Sequence, residues 1–256
     1  MRSSVSLYDA LAATYEDHFA APHRKAYDDL AWEACCEAIG TSPGVVIDVG
    51  CGVGRWSRRF LGQGHRVIGI EPAPRMSERA ACLQDENFTL LRDRVEQVTL
   101  PAGNVDAVVA MGSLQYTADP AATIAHCAAW LRPGGVLCVL VDSLFGLVVE
   151  LVRADKGGEA MERLYSRRGV WRIDDQEADL HLLDVARLGS AFVQAGLEVT
   201  STSGLLVGAS LIGRDDLVSA LNADYDRQLG QERVMADFPE LADLGKQLLV
   251  IGRRTA

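Results

Sequence analysis

The chain is 256 residues long and 48% apolar, with a formal net charge of −10 and a pI near 5.0. That length and apolar fraction can bury one large core and are short for two full domains. The acidic balance, without clustered Lys and Arg, argues against a nucleic-acid surface and leaves small molecules as the expected partners. Six cysteines, at Cys35, Cys36, Cys51, Cys82, Cys127 and Cys138, show no C-x-x-C spacing, so a reduced cytoplasmic protein without zinc is expected. Asp9, Glu16 and Asp17 fall within the first twenty residues and do not fit a signal peptide. The most apolar run, Val136 to Val152, is interrupted by Asp142, Ser143 and Glu150 and reads as a strand followed by a helix, with no membrane span.

In chain order, Leu7, Leu11, Tyr15 and Phe19 recur every four positions and predict one helix over Ser6 to Phe19. His18, His23 and Arg24 follow in a turn broken by Pro22, and a second helix is predicted from Ala26 to Ile39, ended by Gly40. Val45 to Val49 is mostly branched and apolar, as a strand buried on both faces is, and runs into Gly50, Gly52 and Gly54. Glycines there permit positive φ and close approach of a ligand to the main chain, and Arg55 to Leu61 opens a helix. The next strand, Arg66 to Ile70, closes on Glu71, about 20 residues past the first glycine, where a carboxylate accepts from both hydroxyls of a ribose. This is a nucleoside-binding βαβ unit. The glycine triplet alone leaves the nucleoside open, since a dinucleotide fold uses G-x-G-x-x-G and its third glycine would fall at Arg55.

Pro74 to Leu83 suits a helix with Met76 and Ala80 turned inward, Phe88 to Arg92 a third strand and Asp106 to Met111 a fourth. Ligands of open parallel sheets sit outside the carboxyl ends of the strands, so Gln115 and Tyr116, in the loop after the fourth strand, are pocket candidates or caps of the next helix. That helix is Ala121 to Leu131, and Arg132-Pro133-Gly134-Gly135 turns it into the fifth strand, Val136 to Val141. Phe145 to Arg153 and Glu159 to Arg168 read as two helices of an insert, followed by Trp171-Arg172-Ile173, the acidic run Asp174 to Glu177, and His181. Asp184 to Ala195 is a helix, Leu197 to Ser201 begins a strand, Gly204 to Ile212 reads as more strand or turn, and Gln247 to Gly252 is the last strand.

Three segments in order carry a family resemblance: Asp48-Val49-Gly50-Cys51-Gly52-Val53-Gly54, Gly69-Ile70-Glu71-Pro72-Ala73-Pro74-Arg75-Met76, and Leu131-Arg132-Pro133-Gly134-Gly135. With them the chain resembles the class I S-adenosylmethionine-dependent methyltransferases of the small-molecule type. The resemblance implies an α/β, Rossmann-like, seven-stranded and mostly parallel sheet with an antiparallel edge strand and helices on both faces. It implies an N-terminal helical cap over 1–40, a core over 41–145 and 184–256, and a helical lid inserted over 146–183. S-adenosylmethionine would be the cofactor and S-adenosylhomocysteine its product, with no metal. The implied cofactor residues are Tyr15, Asp48, Gly50, Cys51, Gly52, Gly54, Glu71, Pro72, Met76, Arg94, Val95, Met111 and Gly112. Tyr15 would reach the methionine carboxylate or only pack the cap. Many relatives carry Asp where Arg94 stands, so the main-chain N–H of Val95 is the firmer adenine contact. The acceptor would meet Gln115, Tyr116, Tyr165, Trp171 and Arg172, unless the insert is only a solvated cover.

Methyl transfer from a sulfonium is an in-line displacement, so alignment of the nucleophile matters most, and a base is needed only if its proton must leave early. His18, His23 and His181 are the candidate bases, none with a motif partner. The expected activity is methylation of an O, N or C atom of a small metabolite, in natural-product metabolism, by a monomer or homodimer. Two alternatives stand beside it: a non-methylating use of the same cofactor, and a non-catalytic partner subunit. Arg94 in place of Asp favours the last, and the intact glycine loop and Glu71 oppose it.

Overall fold

Branched apolar runs build the centre of the molecule. The computed structural model describes residues 2–255; Met1 and Ala256, the outermost positions of the expected cap and core, lie outside the described residues. In order the elements are α1 (Ser4–Leu11), a 3₁₀ turn (Tyr15–Ala20), α2 (Pro22–Ile39), β1 (Val45–Val49), α3 (Arg55–Gly62), β2 (Arg66–Ile70), α4 (Pro74–Ala80), β3 (Phe88–Leu91), β4 (Val105–Met111) and α5 (Pro120–Trp130). There follow β5 (Leu131–Asp142), α6 (Leu144–Arg153), α7 (Gly157–Ser166), β6 (Arg168–Ile173), β7 (Gln176–His181), α8 (Val185–Gln194), β8 (Leu197–Leu205), α9 (Val207–Ile212), α10 (Arg214–Ala223), α11 (Tyr225–Ala236) and β9 (Gln247–Arg254).

Seven strands form one sheet in the order β3-β2-β1-β4-β5-β9-β8. All pairs from β3 to β5 are parallel, and β9 is antiparallel to both neighbours. The expected antiparallel strand is thus the last in the chain, and it slots between β5 and β8, one place in from the edge. Because successive strand side chains point to opposite faces, β5 sends Leu137, Val139 and Val141 to one core and Val136, Cys138 and Leu140 to the other. The first core is closed by α5 and α8 through Ile124, Trp130, Leu188 and Phe192, and the second by α2 and α3 through Leu30, Cys35, Trp56 and Phe60. Strand order reverses between β1 and β4, which opens a crevice at their carboxyl ends.

Three local expectations change. The single helix expected over Ser6 to Phe19 breaks after Leu11 and resumes as the 3₁₀ turn, because the Arg79 guanidinium donates to the carbonyls of Ala12 and Ala13 and pairs with Glu16 at 2.5 Å. These contacts satisfy carbonyls at the end of α1 from outside the helix. The insert holds the two expected helices, but its second half is a β-hairpin, β6 and β7, with the acidic run at its turn and Asp174 at φ +51°. Ala178 of β7 packs with Leu7 and Leu11 of α1, while Arg2 holds Asp179 and Glu177, so cap and hairpin close on each other. Beyond Leu205 the chain turns helical as α9, where the buried carboxylate of Glu232 accepts from the Gly208 N–H at 3.1 Å. Among the described residues no helix is long and apolar enough to cross a membrane.

Candidate active site

The loop after β1 is folded back on β2, where the N–H groups of Gly50 and Cys51 donate to the Ile70 carbonyl at 2.8 and 3.1 Å. Gly50 has φ +69°, and a Cβ there would lie 2.4 Å from that of Ser113, whose hydroxyl donates to the Val49 carbonyl at 2.6 Å. Only glycine allows the loops after β1 and β4 to pack so closely. Asp48 is buried at the end of β1 and accepts from the Ser57 hydroxyl at 2.7 Å, with burial pushing its carboxyl up to about 6.

Glu71 accepts from the N–H groups of Gly52 at 2.9 Å and Ala73 at 2.7 Å, which fixes its carboxylate in place. Burial outweighs these bonds and pushes it up to about 7. Each carboxylate oxygen still has a lone pair for a ligand hydroxyl. It stands in an open cleft walled also by Gly50, Gly52, Pro72, Arg94, Val95 and Gly112. A Cβ at Gly112 would meet nothing within 4 Å, and one at Gly52 only a Tyr15 ring carbon at 3.8 Å, so both glycines leave room that a side chain would fill. A bare backbone cradle beside a fixed carboxylate suits a nucleoside.

A second, larger cavity, open to solvent, adjoins the first, sharing Tyr8, Tyr15, Gly50, Met111, Gly112 and Tyr116 as walls. Tyr8 stands edge-on to Tyr116, Trp171 and Tyr15, with ring centroids 5.6, 5.3 and 6.2 Å apart, making an aromatic collar where the cavities meet. Burial raises the hydroxyls of Tyr8, Tyr15 and Tyr116, which therefore stay neutral. The far wall is polar, with His23, Arg24, Asp142, Glu150, Lys246 and Gln247.

Of the residues expected at the cofactor, Tyr15, Gly50, Gly52, Glu71, Pro72, Arg94, Val95, Met111 and Gly112 line the first cleft, and Asp48 and Cys51 line the second cavity. Gly54 and Met76 stand behind the walls: Gly54 opens α3 in a left-handed conformation against Leu83, and Met76 is buried with the α1 side chains Leu7 and Leu11. Gln115, Tyr116 and Trp171 line the second cavity. Tyr165 is not brought there; it projects from α7 with 82% of its surface exposed. Arg172 is likewise outside, its guanidinium 2.5 Å from Glu177 across the hairpin. Of the three histidines, His23 lines the second cavity, and neither of the two cavities takes His18 or His181 as a wall. His18 lies on the 3₁₀ turn, and His181 sits at the end of β7 with Nε2 2.9 Å from the Arg168 guanidinium.

Tyr8, Asp28, Asp142, Lys246 and Gln247 were not legible as site residues. Asp28 is buried in α2 and binds the guanidiniums of Arg55 and Arg59 and the Trp56 indole N–H, the last at 2.9 Å, so it anchors the helix that leaves the glycine loop. Asp142 did leave a signal, an acid ending an apolar strand at the carboxyl edge of a parallel sheet. Lys246 and Gln247 come from the start of the last strand and left none.

Residues 47–139 match the family described as methyltransferase domain. Over that stretch the chain matches a methyltransferase domain, and its sheet has the Rossmann-like methyltransferase fold. It is 32% identical over 165 residues to a ubiquinone biosynthesis O-methyltransferase of Xanthomonas axonopodis pv. citri (strain 306), an alignment covering 63% of this chain and 65% of that protein. The chain thus spans slightly less than two thirds of that relative's length. The methyltransferase fold recurs in an S-adenosylmethionine-dependent methyltransferase structure from Listeria monocytogenes, with a TM-score of 0.64, 12% identity and coverage of 90% of this chain and 100% of that one. It recurs too in the Burkholderia thailandensis 1,6-didemethyltoxoflavin-N1-methyltransferase, solved with its substrate and S-adenosylhomocysteine, at a TM-score of 0.55, 17% identity and coverage of 98% and 88%. In the methyltransferase domain and around it, no three His, Cys, Asp or Glu side chains among the described residues converge as a metal site.

Proposed function

We propose that this protein moves the methyl group of S-adenosylmethionine to an O, N or C atom of a small metabolite, within natural-product metabolism. The observation that carries the reading is the junction of the two cavities: a glycine cradle with a fixed carboxylate opens, through an aromatic collar, into a separate chamber large enough for a second small molecule. When bound, the cofactor supplies an electrophilic methyl on a sulfonium, and transfer leaves S-adenosylhomocysteine.

In this reading Glu71 accepts from the ribose hydroxyls, the Val95 N–H and Arg94 flank the adenine, and Asp48, Cys51 and Tyr15 surround the methionine arm. Tyr8, Tyr15 and Tyr116 narrow the passage between the chambers, which excludes water and fixes the line along which a nucleophile approaches. His23 is the histidine placed to meet the acceptor. Burial, with the charges of Arg24, Arg214 and Lys246, pushes its imidazole down to about 4, so at neutral pH it offers a lone pair and orients a hydroxyl or amine rather than holding its proton.

Incubating the protein with S-adenosylmethionine and a panel of small hydroxylated and amino acids, with mass spectrometry of both products, tests the reading. The expected result is S-adenosylhomocysteine forming one for one with an acceptor heavier by one methyl in place of a proton. An acceptor converted while the cofactor stays intact would transfer the protein to the non-methylating users of the same fold.

A further inference from the structure

The polar wall of the second cavity lies away from the cofactor cradle. Asp142 ends β5 and Gln247 opens β9, paired in register, two and three strands from the glycine loop. At the usual strand spacing these are about 10 and 14 Å from β1. His23 and Arg24, in the first turn of α2, and Lys246 face the same end.

Two polar atoms there are buried without a partner among the described residues: Nδ1 of His23 and Oε1 of Gln247, the latter on a side chain only 8% exposed. Buried polar atoms are nearly always bonded, and both residues line the cavity, so a ligand there that draws the two side chains toward it would complete them. A carbonyl oxygen such as Oε1 accepts only, so what completes it is an O–H or N–H donor.

The charges of this end are also unbalanced. Lys246 and Arg214 share one carboxylate, Glu150, at 2.5 and 3.5 Å, while the Arg24 guanidinium makes no ion pair among the described residues. The remaining acid, Asp142, is bound by the Gln115 amide at 2.9 Å, and burial raises its carboxyl toward the neutral form. Three cations, Arg24, Arg214 and Lys246, therefore face two carboxylates, Glu150 and the buried Asp142, and a partly buried cation without an ion pair is best satisfied by an anion. Trp171, Tyr116, Leu180 and Leu182 also line the cavity and pack together as an apolar cluster.

We propose that this end of the cavity seats the acceptor as a small organic acid: Arg24 and Lys246 hold its anionic group, and hydroxyl or amine groups of the same molecule meet Oε1 of Gln247 and Nδ1 of His23. The acceptor's planar body lies against Trp171 and Tyr116. This assignment rests on the methyltransferase reading, because it presumes that the first cleft holds the nucleoside. The other source of the same chemistry is the carboxylate of the cofactor's own methionine arm.

The test uses the full chain saturated with S-adenosylhomocysteine and four carboxylate probes, benzoate, 4-hydroxybenzoate, 3,4-dihydroxybenzoate and indole-3-carboxylate, each paired with its primary amide and titrated by calorimetry. The expected result is a hydroxylated carboxylate binding at least tenfold more tightly than its amide, with the preference lost in Arg24→Gln and Lys246→Gln while both variants are still stabilised by S-adenosylhomocysteine. Equal binding within every pair, or no binding of any carboxylate, overturns the assignment. So does an Arg24→Gln variant that loses tenfold or more for S-adenosylhomocysteine and nothing for 5′-methylthioadenosine, which lacks the amino-acid arm; that outcome gives Arg24 to the cofactor. If a variant fails to fold, the wild-type comparison of carboxylate with amide decides alone. Failure of the wild-type protein to bind S-adenosylhomocysteine is read in the first titration and removes the methyltransferase reading itself.

Discussion

Glu71 is 6% exposed, and both of its oxygens already accept a main-chain N–H, so its geometry is set before any ligand arrives. Replacing it with alanine removes the acceptor of two ribose hydroxyls, and the affinity for S-adenosylhomocysteine should fall by about 1–3 kcal/mol in calorimetry. Its ionisation gives a second prediction. Burial raises the carboxyl from 4.5 to about 7, and ribose hydroxyls donate more strongly to the charged form. Affinity should therefore climb with pH up to about 7 and level off above it, by at most tenfold per unit on the acid side, and Glu71→Gln should flatten the profile. Stability of the free protein runs the other way. Folded Glu71, at about 7, and folded Asp48, at about 6, hold protons that the unfolded chain has released above 4.5 and 3.8, so this contribution declines as pH rises between those limits. Thermal melts across pH 4 to 8 without ligand check the sign.

At the scale of elements, α1 is a short helix held in place from outside. Ser3 caps its start, and Arg79 on α4 takes the carbonyls at its end and the Glu16 carboxylate. Arg79→Ala should loosen α1 by roughly 1–2 kcal/mol, seen as about tenfold faster amide exchange over Leu7 to Leu11 with little change across β1 to β5. Since Tyr8 and Tyr15 reach the cavities from this segment, cofactor affinity should weaken in the same variant; unchanged exchange in α1 would show that the cap is held by its apolar face alone. This segment also shows what a periodic pattern leaves out. Leu7, Leu11, Tyr15 and Phe19 keep one stripe across the break, so the apolar period persists where the hydrogen-bond ladder does not, and the residue that ends it lies 67 positions away. The hairpin was hidden for a related reason: Arg168–Ile173 and Gln176–His181 are short strands that pair with each other and gain their packing from α1, α6 and the loop after β4, all distant in the chain.

At the scale of the molecule, the sheet and the cradle were readable because each depends on local sequence: buried parallel strands are continuous apolar runs, and Gly50, Gly52 and Glu71 sit at fixed distances along one βαβ unit. The second cavity was not, because its polar wall is assembled from the first turn of α2, the end of β5, α6 and the start of β9, more than 200 residues apart in the chain. A ligand that bridges cradle, cap and core stabilises the whole fold by mass action. S-adenosylhomocysteine at about 100 times its Kd should add about 2.7 kcal/mol. In a domain of this size that raises Tm by roughly 5–10 °C. The most direct test of the central claim is a calorimetric titration of S-adenosylhomocysteine into the protein, alone and with excess NAD⁺. The account predicts saturable binding at one site per chain that NAD⁺ leaves unchanged; no binding of S-adenosylhomocysteine, or its displacement by NAD⁺, would contradict it.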